Sequence, residues 1–156
     1  DKVIELHNGY IDKHLGDGIM AVWGAPFAGD DDAEEAVSAG LGLARALDEY
    51  CKTTKVPGAE HLKLRVGINS GPVFAGYIGA RNEYTVIGDT VNVASRLEQV
   101  AEPGAVVIGE NTLRMTQGCF RVKALEPTHI KGKAELVQGK LRGDETALVE
   151  FIRSVV

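Results

Sequence analysis

An α+β domain, with helices packed on a largely antiparallel sheet, is predicted for this chain by three observations. Strand-like runs are joined by tight-turn signals, two stretches carry apolar residues at helical spacing, and strict strand-helix-strand alternation is absent. At 156 residues and 44% hydrophobic content the chain can build one sizeable core and is too short for two. It reads as a single domain, 1–156.

Asp1 to Asn8, with Val3, Ile4 and Leu6, looks like the tail of an element ending at Gly9. No start signal precedes it, so the chain reads as N-terminally incomplete. Tyr10 to His14 and Ile19 to Trp23 are strand-like and joined through Leu15-Gly16-Asp17-Gly18, where Asp-Gly favours a tight turn. Asp30, Asp31 and Asp32 precede a long helix whose face is Ala33, Ala36, Val37, Gly40, Leu43, Ala44, Leu47, Tyr50 and Cys51. Carboxylates at a helix start are favoured by its dipole, which explains the acidic run without a metal. Leu62 to Asn69 and Pro72 to Ile78 read as a second hairpin around Ser70-Gly71, followed by a loop, 79–83.

A helix then begins near Asp89, whose carboxylate is placed to cap its first turn. Val93, Leu97, Val100 and Ala101 form its core face. Beyond it, Ala105 to Ile108 is a short strand, Asn111 to Gln117 a short helix and Phe120 to Leu125 a strand. Ile130 to Leu141 reads as a paired edge, and Thr146 to Val156 as a final strand or helix.

The formal net charge of -5 argues against a general nucleic-acid surface and leaves room for a local basic site. No apolar run is long enough to span a bilayer and no signal-peptide pattern opens the chain, so a soluble, cytoplasmic piece is expected. Cys51 and Cys119 are widely separated, without a CxxC pair or zinc-like histidine spacing, which fits a reducing cytosol.

Chemistry concentrates in a few residues. Asn92 and Arg96 are four apart and project together from a helix face beside the apolar one. A guanidinium there can fork onto a phosphate while an amide orients a sugar. A capped helix with a solvated arginine fits the same segment. Asp17, between two glycines, presents a hard oxygen ligand of the kind magnesium takes, although Asp-Gly turns are commonplace. Lys13 adds an ammonium four residues earlier, which alone is a solvated charge.

Taken together, YIDKHLGDGIMAVWGAP (Tyr10 to Pro26), LRVGINSGPVFAGYIG (Leu64 to Gly79), EYTVIGDTVNVASRLE (Glu83 to Glu98) and IKGK (Ile130 to Lys133) resemble the catalytic domain of class III nucleotidyl cyclases, the adenylate and guanylate cyclases. Four motifs in family order, spanning nearly the whole chain, are far more specific than any one of them.

The resemblance implies a ferredoxin-like cyclase fold with its N-terminal elements missing. It also implies a lyase that converts ATP to 3′,5′-cyclic AMP and pyrophosphate in signal transduction. Asp17 matches the second of two metal-binding aspartates, with two magnesium or manganese ions per site. Lys13 matches the lysine that reads the purine and Thr85 falls at its partner position. Asn92 matches the ribose-orienting asparagine, Arg96 the transition-state arginine, and Lys131 the lysine on the terminal phosphates, with Lys133 close enough to compete. A homodimer with shared active sites is implied, and an upstream regulatory domain.

Lys13 can donate to adenine N1 and the Thr85 hydroxyl can accept from the 6-amino group. A hydroxyl also donates, so threonine is expected to discriminate less sharply than the aspartate of many adenylate cyclases. Threonine here resembles the bacterial and soluble branch, some of whose members respond to bicarbonate. The family's first metal aspartate lies in an F-x-D-x-x-G-F pattern that the sixteen residues before Asp17 lack, and neither Asp1 nor Asp12 fits it. Either the chain is part of a longer protein, or it cannot assemble a two-metal site. A non-catalytic module for dimerisation or regulation is therefore the competing class, with guanylate cyclase a third reading.

Overall fold

The computed structural model describes residues 1–78, 83–124 and 149–151. It opens on a short helix, α1 (Lys2–Leu6), then two strands, β1 (Tyr10–Leu15) and β2 (Gly18–Val22), paired antiparallel. Their turn is Gly16-Asp17, with Gly16 at φ 67°. A glycine at the first turn position supplies the positive φ that matches strand twist, so the expected hairpin turns on Gly-Asp rather than Asp-Gly.

The long helix α2 (Asp32–Thr53) buries Ala33, Ala36, Val37, Ala39, Gly40 and Leu41. Its acidic start behaves as charge on a dipole: Asp32, Glu34 and Glu35 occupy the first turn, and Asp32 Oδ2 accepts from the Gly29 amide at 2.6 Å. After a 3-10 turn (Ala59–His61) come β3 (Val66–Ile68), β4 (Phe74–Ile78), β5 (Glu83–Ile87), α3 (Asp89–Val100), β6 (Val106–Ile108), α4 (Glu110–Met115), β7 (Val122–Ala124) and β8 (Val149–Phe151).

The core is built around β6. Val106, Val107 and Ile108 are all fully buried, because a strand's side chains alternate faces and both faces are covered. Val106 and Ile108 pack with Val37 and Leu41 of α2, while Val107 packs with Leu97 of α3. The sheet carrying β6 runs β3-β6-β8-β7, and each of its pairings is parallel. The antiparallel pairings are the two hairpins, β1–β2 and β4–β5.

Two expectations are corrected. Ser70-Gly71 does not turn a hairpin: β3 pairs with β6, and β4 with β5 in the register Phe74↔Ile87 to Ile78↔Glu83. The end of β3 is instead tied to distant segments, with Ser70 Oγ 2.8 Å from Thr112 Oγ1 and Asn69 Nδ2 donating to Thr90 O at 3.1 Å. Nor does Asp89 cap α3. Gly88 is the N-cap, at φ 153°, and Asp89 is the first helical residue, with its charge in the first turn but no side-chain cap bond. The paired edge expected over Ile130 to Leu141 lies outside the described residues.

Candidate active site

A bulge in β1 creates the central feature of the site. Ile11 pairs with Ala21 and Lys13 with Met20, so two steps on β1 oppose one on β2 and Asp12 is the extra residue. In a regular strand, neighbours such as Asp12 and Lys13 point to opposite faces. A bulge re-aims side chains, and here both turn to Thr85 of β5. Lys13 Nζ donates to Thr85 Oγ1 at 2.9 Å and pairs with Asp12 Oδ2 at 2.9 Å. The Thr85 hydroxyl donates to the same Asp12 Oδ2 at 2.9 Å, closing a triangle.

The three corners differ in exposure. The Lys13 side chain is 43% exposed and that of Asp12 is 0% exposed, so the ammonium faces solvent from a buried carboxylate. Tyrosine rings in edge-to-face contact link the two hairpins beside it. Tyr84, next to Thr85, meets Tyr10 edge-on at 6.2 Å between ring centres and Tyr77 at 5.5 Å. Such edge-to-face contacts contribute about 0.5–1.5 kcal/mol beyond their area.

Asp17 stands exposed at the tip of the β1–β2 turn. Among the described residues no group of three or more His, Cys, Asp or Glu side chains is placed to hold an ion. A lone exposed carboxylate still suits magnesium, which commonly takes one or two carboxylates and completes its shell with water and phosphate oxygens.

Asn92 is exposed and Arg96 half-buried on α3, which leaves β5 directly through Gly88. The helix lies unusually close to the sheet at Gly67 of β3. A Cβ there would fall 2.9 Å from Glu98 Cα and closer still to Glu98 N and Ala94 O. Only a glycine admits that approach, so Gly67 fixes the height of the helix that presents Asn92 and Arg96. Lys131 and Lys133 lie outside the described residues.

The structure thus brings Lys13 and Thr85 into contact as a pair and places Asn92 and Arg96 one turn apart on the adjoining helix. It adds Asp12, which sequence reasoning did not select. An acidic residue beside a functional lysine in a strand ordinarily belongs to the opposite face, and the bulge that overrides this depends on pairing with β2. The one available signal was the Asp-Lys dipeptide itself.

Residues 1–143 match the family model described as the adenylate and guanylate cyclase catalytic domain. The chain belongs to this family. It is a class III nucleotidyl cyclase catalytic domain, and its relatives carry both purine specificities. It is 36% identical over 151 residues to receptor-type guanylate cyclase gcy-20 of Caenorhabditis elegans, covering 94% of this chain and 13% of that protein. It is 37% identical over 99 residues to adenylate cyclase 1 of Rhizobium meliloti (strain 1021), covering 62% of this chain and 15% of that protein. The chain therefore spans about an eighth of the length of such relatives.

Among solved structures, the catalytic core of a rhodopsin-guanylyl cyclase with converted specificity, in complex with ATPalphaS, superposes with a TM-score of 0.78 at 34% identity. The match covers 91% of this chain and 77% of that one. Cyclase domains bind a nucleotide, generally use divalent metal ions and commonly dimerise. Among the described residues no helix is long and apolar enough to cross a membrane.

Proposed function

We propose that this cyclase domain converts ATP to 3′,5′-cyclic AMP and pyrophosphate. The observation that carries the adenine assignment is the Lys13–Thr85 contact at 2.9 Å. It sets an ammonium, which only donates, beside a hydroxyl oxygen with lone pairs. Adenine presents the complement, an N1 acceptor next to a 6-amino donor. Guanine presents the reverse, an N1–H donor beside an O6 acceptor. The terminal phosphates are assigned to Lys131, with Lys133 the alternative.

In the reaction the ribose 3′ oxygen loses its proton and bonds to the α-phosphorus. The bond from that phosphorus to the β-phosphate oxygen breaks, and pyrophosphate leaves with the electron pair. Asn92 orients the ribose. Arg96 neutralises charge growing on the phosphoryl oxygens, where preorganised electrostatics contribute most to rate. Asp17 would hold a divalent cation, magnesium or manganese, which when bound lowers the pKa of an attacking hydroxyl and clamps phosphates.

The working form is a homodimer in which Asp17 of one subunit faces Lys13, Thr85, Asn92 and Arg96 of the other. The β4–β5 hairpin supports this reading. Phe74 and Ile87 are cross-strand partners yet 77% and 51% exposed, and Tyr77 is 69% exposed, an apolar surface that a partner would cover. A cytosolic setting belongs to the same reading, since it keeps thiols such as that of Cys119, which donates to Glu34 Oε2 at 3.3 Å, reduced.

The test is cyclic nucleotide formation by the full-length protein, with manganese and with ATP or GTP. Cyclic AMP as the dominant product is expected. Cyclic GMP as the dominant product would reassign the base, and neither product would favour the non-catalytic dimerisation reading.

A further inference from the structure

We propose that Asp12 is a specificity-determining residue. By holding the Thr85 hydroxyl proton, it leaves Thr85 only lone pairs to offer the base, so this position accepts from adenine and cannot donate to guanine. The inference rests on the reading of Lys13 and Thr85 as the purine-contacting pair, and it resolves the ambiguity that threonine brings to that pair.

The bonding roles follow from what each group can do. A lysine ammonium only donates, and an ionised carboxylate only accepts. Thr85 Oγ1 lies 2.9 Å from both Lys13 Nζ and Asp12 Oδ2, so it accepts from the first and gives its one proton to the second. Lys13 in turn uses two of its three protons, on Asp12 and Thr85, and keeps one for a ligand. What the pair presents outward is one donor beside one acceptor. A free hydroxyl would rotate and donate to guanine O6 as readily as it accepts from an amino group. Asp12 removes that choice.

Its placement is not that of an ordinary surface acid. The side chain is 0% exposed, carried inward by the bulge between Ile11 and Lys13. Oδ1 is buried with no hydrogen-bond partner among the described residues. An unsatisfied buried oxygen costs about 1–3 kcal/mol, which makes this a poor way to stabilise a hairpin. A carboxylate added for stability alone would satisfy both oxygens or face water.

The experiment measures the ratio of dissociation constants for GTP and ATP, and in parallel the ratio of kcat/KM, on the full-length protein. Asp12→Leu removes both acceptor oxygens at similar size, with Asp12→Ala as the second variant should the leucine fail to fold. Either is expected to shrink the preference for ATP at least about tenfold, the scale of one misdirected buried hydrogen bond. Asp12→Asn keeps an acceptor oxygen for the hydroxyl, so it should retain most of the preference while lowering the unfolding temperature. In a Thr85→Val background, which has no hydroxyl to orient, Asp12→Leu should change the ratio no further.

A merely structural Asp12 predicts equal losses for ATP and GTP with the ratio intact, and that result overturns the proposal. So does a ratio change of the same size in the Thr85→Val background. If Lys13→Gln and Thr85→Val themselves leave the ratio untouched, the underlying reading of the purine pair fails instead. The two failures are thereby told apart.

Discussion

The two halves of the molecule solve opposite problems. Around β6, three consecutive residues are fully buried between α2 and α3, and sequence is spent on packing. On the two hairpins, large apolar residues such as Phe74 and Tyr77 stay exposed, while the buried carboxylate of Asp12 anchors a polar triangle with Thr85 and the solvent-facing Lys13. Helix α3 belongs to both. Leu97 is 0% exposed in the core, while Arg96 beside it is half-buried and is the residue proposed to meet the phosphate. The difference teaches that, on the proposed roles, stability and chemistry are separable here by position, down to adjacent residues on one helix.

The sharpest way to break that separation is at Leu97. Leu97→Ala should cost about 2–5 kcal/mol of stability by removing buried methyl groups and leaving a cavity. Thermal unfolding checks it, and the nucleotide preference of the surviving folded fraction should not move. A changed preference with an unchanged melting temperature would show that the core face of α3 serves the site directly.

Arg96→Ala should do the opposite. Losing a donor aimed at transition-state charge typically lowers kcat about 10²–10³-fold. The expected signature is a fall in kcat at nearly constant KM. A rise in KM alone would move Arg96 to ground-state binding, and a melting temperature lowered as far as that of Leu97→Ala would return it to the core.

Much of this division was legible in the sequence. The α3 face and the first turns of the α2 face follow from 3.6-residue periodicity, and the β1–β2 hairpin from its glycines, because those signals are local. Further along α2 the expected face fails, with Ala39 and Leu41 buried outside it and Tyr50 on it 49% exposed. Lys13, Thr85, Asn92 and Arg96 were reached through motifs whose order along the chain matched a family. What escaped is non-local. The Ser70-Gly71 turn looked like a hairpin because local turn chemistry does not record that β3 pairs with β6, some forty positions on. Asp12 escaped because a bulge is a property of two strands together. Lys131 stands as the sequence left it.

A smaller effect is expected at Lys13, and the structure changes how to look for it. Lys13→Glu would set a carboxylate against buried Asp12, so its effect on activity would be mixed with charge repulsion. Lys13→Gln keeps an N–H donor without the charge. ATP turnover should fall roughly tenfold, the difference between a charged and a neutral hydrogen bond. Stability should fall by about 1 kcal/mol or less, since the ammonium is 43% exposed and the pair is screened accordingly. Equal proportional losses for ATP and GTP would remove Lys13 from base reading.

The smallest effect is the most specific, and it asks whether hairpin and helix act across a dimer. If each site takes Asp17 from one subunit and Arg96 from the other, full-length chains carrying Asp17→Ala or Arg96→Ala should each be inactive alone. In an isologous pair both lesions of a mixed dimer fall in one site and spare the other. Random exchange at equal amounts makes half the dimers mixed, each with one of two sites intact, so activity should return to about a quarter of the parent's. Subunit exchange must be verified independently by labelling the two chains differently. If exchange is complete and the mixture stays inactive, Asp17 and Arg96 serve the same subunit's site. The exposed Phe74–Ile87 surface would then need another explanation than the dimer that builds the active site.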